Sequence, residues 1–178
     1  RIVFGLTRAE IAGLLGDGIG AEANLASVMV GLRGLTRSFR ADAADAVMQV
    51  GEFFGAYDAA AEAAEESLGI AREVSEELGT PQSRRDVSVA LNNVGRVAER
   101  RDDLDAAMQC FGEALGIQRE LADSLGTPQS RRDLAISLDN VGRMAERRGD
   151  LEAADRYFQE SLTIDRELAD SLGTPQSR

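Results

Sequence analysis

Four arginines and three asparagines hold most of the chemistry this chain offers, and they recur at one spacing. Arg96 and Arg100 are followed 47 positions later by Arg143 and Arg147, Asn93 is followed by Asn140, and Asn92 has Asp139 as its counterpart. A guanidinium is a permanent cation with a planar fork of donors that matches a carboxylate. An asparagine amide donates and accepts, so it can bond the backbone of an extended ligand. Such a set suits holding a protein or peptide segment, one rich in carboxylates above all, and has no means of breaking bonds. The chain has no histidine, and all 20 of its cations are arginine. The commonest general base and metal ligand is therefore missing, along with any lysine nucleophile.

The other reactive candidates read as structure. Cys110 has Ala63 and Tyr157 at the equivalent places in the neighbouring copies, a variation that fits a tolerant packing site. Asp102, Asp103 and Asp105 bunch where a helix should begin, and negative charge suits a helix N-terminus. The loop Gly16-Asp17-Gly18-Ile19-Gly20 lacks the lysine of a phosphate-binding loop and a credible preceding strand. No catalytic residue, cofactor or metal site is expected.

These side chains need helices to position them. Asn92, Arg96, Glu99 and Arg100 share one helical face, as do Asp139, Arg143, Glu146 and Arg147, with Asn93 and Asn140 beside them. Arg96 with Glu99, and Arg143 with Glu146, are expected to pair along the helix surface at a few tenths of a kcal/mol. The string LGTPQSR begins at Leu78, Leu125 and Leu172, and residues 80–126 match 127–173 at 32 of 47 positions without a gap. Residues 34–79 form a more divergent copy, and 174–178 open a fourth.

Each copy reads as two helices. Thr127 can cap the first, with Pro128 at the position where a missing N–H costs nothing. Leu134, Leu138, Val141 and Ala145 then follow at helical spacing. Gly149-Asp150 breaks the chain, Asp150 caps the second helix, and Leu172-Gly173 closes it. Helices of about 20 residues, roughly 30 Å long, joined by two or three residues must pack antiparallel. One such pair cannot bury its own apolar face; stacked pairs can. Gly69, Gly112 and Gly116 fall inside second helices, where each should cost about 1 kcal/mol relative to alanine unless it permits close packing.

The composition narrows the partners. A net charge of −11 repels nucleic acid and anionic membrane. No apolar run is long enough to span a bilayer. A single cysteine excludes an internal disulfide and fits a cytoplasmic setting. Charge is segregated by helix. Residues 80–101 and 127–148 carry surpluses of three and two positive charges, while 102–126 and 149–173 each carry five surplus negatives.

The pattern resembles the tetratricopeptide repeat family. The second copy matches its motif at Leu91, Val94-Gly95, Ala98, Asp102, Leu104, Ala107, Phe111 and Ala114-Leu115. The third matches at Leu138, Val141-Gly142, Ala145, Gly149, Leu151, Ala154, Phe158 and Ser161-Leu162. The first, at Ala44, Val47-Met48, Gly51, Gly55, Tyr57, Ala60, Ala64 and Ser67-Leu68, departs furthest. The 47-residue length is similar to the long repeats of kinesin light chains and bacterial signalling proteins. The resemblance implies an all-α, right-handed α-solenoid of stacked antiparallel helix pairs, in which small residues such as Gly95 and Gly142 let helices approach and Phe111 and Phe158 fill the space. It also implies first helices lining a concave groove that binds a partner protein. Of the family's carboxylate clamp, Asn93 and Arg143 match, whereas Asp45 and Asp139 stand where lysines belong and Gln49 where an asparagine does.

The function so implied is a protein-interaction scaffold within a larger bacterial regulatory protein. Alternatives are the regulatory arm of a protease, kinase or nucleotide-driven switch, and an array that self-associates end to end. Residues 1–33 do not follow the repeat. Thr7 to Glu10 reads as a capping box opening a short helix to Leu15, and Ala21 to Leu32 as an apolar helix. The stretch is expected to cap the array or to end a preceding domain.

Overall fold

The computed structural model describes residues 37–173 together with Leu25 and Met29. Six helices follow one another there: α1 (Arg37–Phe54), α2 (Tyr57–Leu78), α3 (Pro81–Arg100), α4 (Leu104–Leu125), α5 (Pro128–Arg147) and α6 (Leu151–Gly173). The described residues contain no strand, so the chain is an all-α array of helix pairs. The expected loop at residues 16–20, the short helix from Thr7 and the fourth-unit opening at 174–178 lie outside the described residues. Leu25 and Met29, four residues apart, are both helical and buried in the core of α1 and α2, against which Ala44, Val47 and Met48 also pack.

Local chemistry sets each helix boundary. Thr80 Oγ1 accepts from the Ser83 N–H at 3.1 Å, and Ser83 Oγ accepts from the Thr80 N–H at 3.1 Å, a reciprocal cap. Thr127 Oγ1 accepts from the Ser130 N–H at 3.1 Å, with Pro81 and Pro128 just inside their helices. Asp103 and Asp150 accept from Ala106 and Ala153 at 3.0 and 2.9 Å and start the second helices. Gly79 and Gly126 end α2 and α4 at φ of 57° and 60°, where a Cβ would be strained.

Ion pairs report how the helices run. Arg84, near the start of α3, pairs with Glu120, near the end of α4, and Arg131 pairs with Glu167 in the same register one unit on. The two helices of a unit are therefore antiparallel. Between units, Arg85 near the start of α3 bonds Asp133 near the start of α5, while Arg147 at the end of α5 reaches Glu99 at the end of α3. First helices thus run parallel to one another. The segregated charges meet in first-to-second-helix pairs repeated at 47 residues, Arg84–Glu120 and Arg131–Glu167 within a unit and Arg101–Asp58 and Arg148–Asp105 to the preceding second helix; Arg72–Glu113 and Arg119–Glu160 join second helices to one another.

Within a unit the helices meet at a glycine. A Cβ on Gly95 would lie 2.9 Å from the Phe111 ring, and one on Gly142 would lie 2.7 Å from the Phe158 ring. Phe111, covered also by Ala135 and Leu138 of the next unit, is 1% exposed, whereas Phe158 is only half-buried. Gly69, Gly112 and Gly116 have no atom within 4 Å of such a Cβ. They permit no close approach and only weaken their helices.

Candidate functional site

Each helix packs on the next in sequence, but the backbones of α3 and α5 scarcely touch. The space between them is a groove of about 720 Å³. Its walls are Asn92, Arg96, Glu99 and Arg100 on α3 and Ile136, Asn140, Arg143 and Arg147 on α5, with Tyr57 at one end and the buried Phe111 ring in the floor. The glycine seam carries the groove: Gly95 admits the ring that forms its base.

Side chains bridge the groove at its walls. The Asn140 amide donates to Asn92 Oδ1 at 3.2 Å, and Arg143 Nη2 donates to Asn140 Oδ1 at 2.7 Å. Glu99, whose side chain is 17% exposed, faces Arg143 at 3.6 Å and accepts from Arg147 at 3.4 Å. Arg147 also donates to Asp102 at 2.8 Å. Arg96 clasps Glu52 of α1 through Nε at 2.9 Å and Nη2 at 3.1 Å.

The expected pairing of Arg96 with Glu99 along the helix is therefore replaced by pairing between units. The reason is burial. Glu52 and Glu99 are each only 17% exposed and face a neighbouring helix. A partly desolvated carboxylate is stabilised most by a guanidinium that approaches it head-on from across the gap. A surface pair at i and i+3 offers a few tenths of a kcal/mol in competition.

Of the residues the sequence singled out, the structure brings Asn92, Arg96, Arg100, Asn140, Arg143 and Arg147 to one groove. Asn93 lines a separate cleft of about 460 Å³ between α1, α2 and α3, with Asp42, Asp45 and Asp86. Asp45 there accepts from Ser67 Oγ at 2.9 Å. Asp139 is exposed and lines neither. Tyr57, Phe111 and Ile136 were not singled out as groove residues. Their distance in sequence hides them, although Ile136 falls one turn before Asn140 on the same face.

Among the described residues Arg100 has no carboxylate within ion-pairing distance, so it is the groove cation most open to a ligand. The aspartate cluster is occupied: Asp103 caps α4, Asp102 holds Arg147 and Asp105 holds Arg148. No three potential metal ligands converge among the described residues. Cys110 is half-buried, and its thiol pKa is pushed up by burial, with the negative charge of Glu113 adding to the effect. Its thiolate, the reactive form, is thus disfavoured. No helix among the described residues is long and apolar enough to cross a membrane.

The family model for the tetratricopeptide repeat matches residues 86–167. No curated protein matches the chain. Among solved structures, the DHF58 filament is similar at a TM-score of 0.49 and 20% identity, over 92% of this chain and 86% of that one. BtubC (BKLC) from P. vanneervenii is similar at 0.45 and 18%, over 96% and 82%. The DHF119 filament is similar at 0.42 and 18%, over 92% and 84%.

Proposed function

We propose that this chain, whose residues 86–167 match the family model for the tetratricopeptide repeat, is a protein-interaction scaffold that holds an extended, acidic segment of a partner protein in the groove between α3 and α5. The observation that carries the reading is the convergence of Arg100, Arg143 and Arg147 with Asn92 and Asn140 on one open groove above an aromatic floor.

The recognition follows from what each group does already. Arg143 and Arg147 share Glu99, at 3.6 and 3.4 Å, distances longer than a strong charge-assisted bond. A ligand carboxylate can therefore compete with Glu99 for both, although Arg147 also keeps its 2.8 Å bond to Asp102, while Arg100 offers its donors without exchange. Asn92 and Asn140, now bonded to each other, can turn to the ligand's backbone amides. An exchange of one carboxylate for another gains little free energy, so binding should be modest and should weaken with salt.

Glu99 makes the reading testable in both directions. Anisotropy of a labelled, extended acidic peptide should show tenfold or weaker binding when Arg100 and Arg143 are both changed to Glu. The same peptide should bind more tightly to Glu99→Gln, which leaves Arg143 without a carboxylate partner among the described residues and Arg147 with Asp102 alone. A neutral peptide of equal length should respond to neither change. Acidic-peptide affinity that is indifferent to all three substitutions would sink the proposal.

A further inference from the structure

The outer face of the last helix pair has the composition of an interface. Leu162 on α6 is 42% exposed, whereas its repeat equivalents Leu115 and Leu68 are 6% and 8% exposed. The difference is the next unit: Leu68 packs with Val87 and Leu91 of the following pair, and Leu115 with Ala135 and Leu138. Leu151 is 65% exposed where Leu104 is half-buried.

Charges give the same result independently. Between the second and third units, Arg85, Glu99, Asp105 and Arg119 take Asp133, Arg143, Arg148 and Glu160 as partners. Moved on by one repeat, those four positions are Arg132, Glu146, Glu152 and Arg166. All four are exposed, and among the described residues none has an ion-pair partner. They keep the signs of their equivalents, positive, negative, negative and positive.

We propose that this face is a docking surface for a helical hairpin in the register of the repeat itself. The hairpin presents a carboxylate to Arg132, cations to Glu146 and Glu152, a carboxylate to Arg166 and an apolar side chain to Leu162. A further unit of this repeat carries all five. Residues 174–178, Thr-Pro-Gln-Ser-Arg, duplicate in sequence the residues 127–131 that open the third unit. The first helix pair of a second copy fits poorly. Gln49 and Phe54 stand where Arg143 and Arg148 would be needed, and Leu25 and Met29 are already buried against that pair. The proposal concerns a different surface from the peptide groove and stands apart from it.

The test extends the chain beyond Arg178 with a copy of residues 132–173, which completes a fourth unit. Hydrogen exchange should show α6 amides protected at least tenfold more than in the unextended chain, with a single, later denaturation transition. Glu146→Arg, at an exposed site that does not threaten the fold, should erase much of that protection. A compensating Glu, placed in the added unit at the position corresponding to Arg143, should restore it. Unchanged α6 exchange, or a gain indifferent to Glu146→Arg, would overturn the proposal. So would sedimentation of the unextended chain as a dimer that Leu162→Glu dissolves, since a second copy would then be the natural occupant.

Discussion

The first helices α3 and α5 serve the glycine seam inside each unit and the groove between units in opposite ways. At the seam, Gly95 and Gly142 bring backbones so close that a phenyl ring fills the whole gap. At the groove, α3 and α5 stay apart, and arginine, glutamate and asparagine side chains bridge the distance. Close packing is stiff and intolerant of a single methyl group. Long charged side chains can let go of one partner and take another at little cost. Stability therefore resides in the seam, and the proposed exchangeable recognition would reside in the groove.

The largest test of that contrast is Phe111→Ala. Removing a ring that is 1% exposed should cost about 3–5 kcal/mol in denaturant unfolding and also strip the groove of its floor. Gly142→Ala comes next. Its new methyl would stand 2.7 Å from the Phe158 ring, an overpacking worth roughly 1–3 kcal/mol, and Phe158→Leu in the same chain should recover part of it. Gly112→Ala and Gly116→Ala have the opposite sign. Open space surrounds both positions, so each should raise stability by up to about 1 kcal/mol.

The smallest effect is at Cys110. Its folded pKa lies above that of a free thiol, so at a pH near the ordinary thiol range the folded chain carries less thiolate than the unfolded one. Alkylation should be slower in the folded chain, should climb only at higher pH, and should reach the ordinary rate in denaturant. Folded-state alkylation as fast as that of a model thiol would show the site to be more open than its half-burial implies.

Much of this was legible in the residues. The caps at Thr80, Thr127, Asp103 and Asp150 could be read because a helix end is a local event that its own side chains satisfy. The glycine–phenylalanine contact could be anticipated because it recurs at a fixed offset. The partner of each arginine could not. Arg96 has Glu99 one turn away, yet it bonds Glu52, 44 positions back. Asn93 and Asn92 are neighbours in sequence but open on different clefts, because adjacent helical positions diverge by about 100° around the axis.

The 47-residue period by itself therefore determined the helices, their ends, their pairing and the helix face on which the arginines and asparagines lie. These follow from local backbone geometry and from apolar periodicity, both of which a linear sequence displays. The tertiary structure decided which carboxylate each guanidinium holds, that Arg100 faces the groove without one among the described residues, and that Leu162 lacks the cover its two equivalents have. Those outcomes depend on which unit lies alongside and how far its backbone stands away, distances that become defined only when the pairs stack.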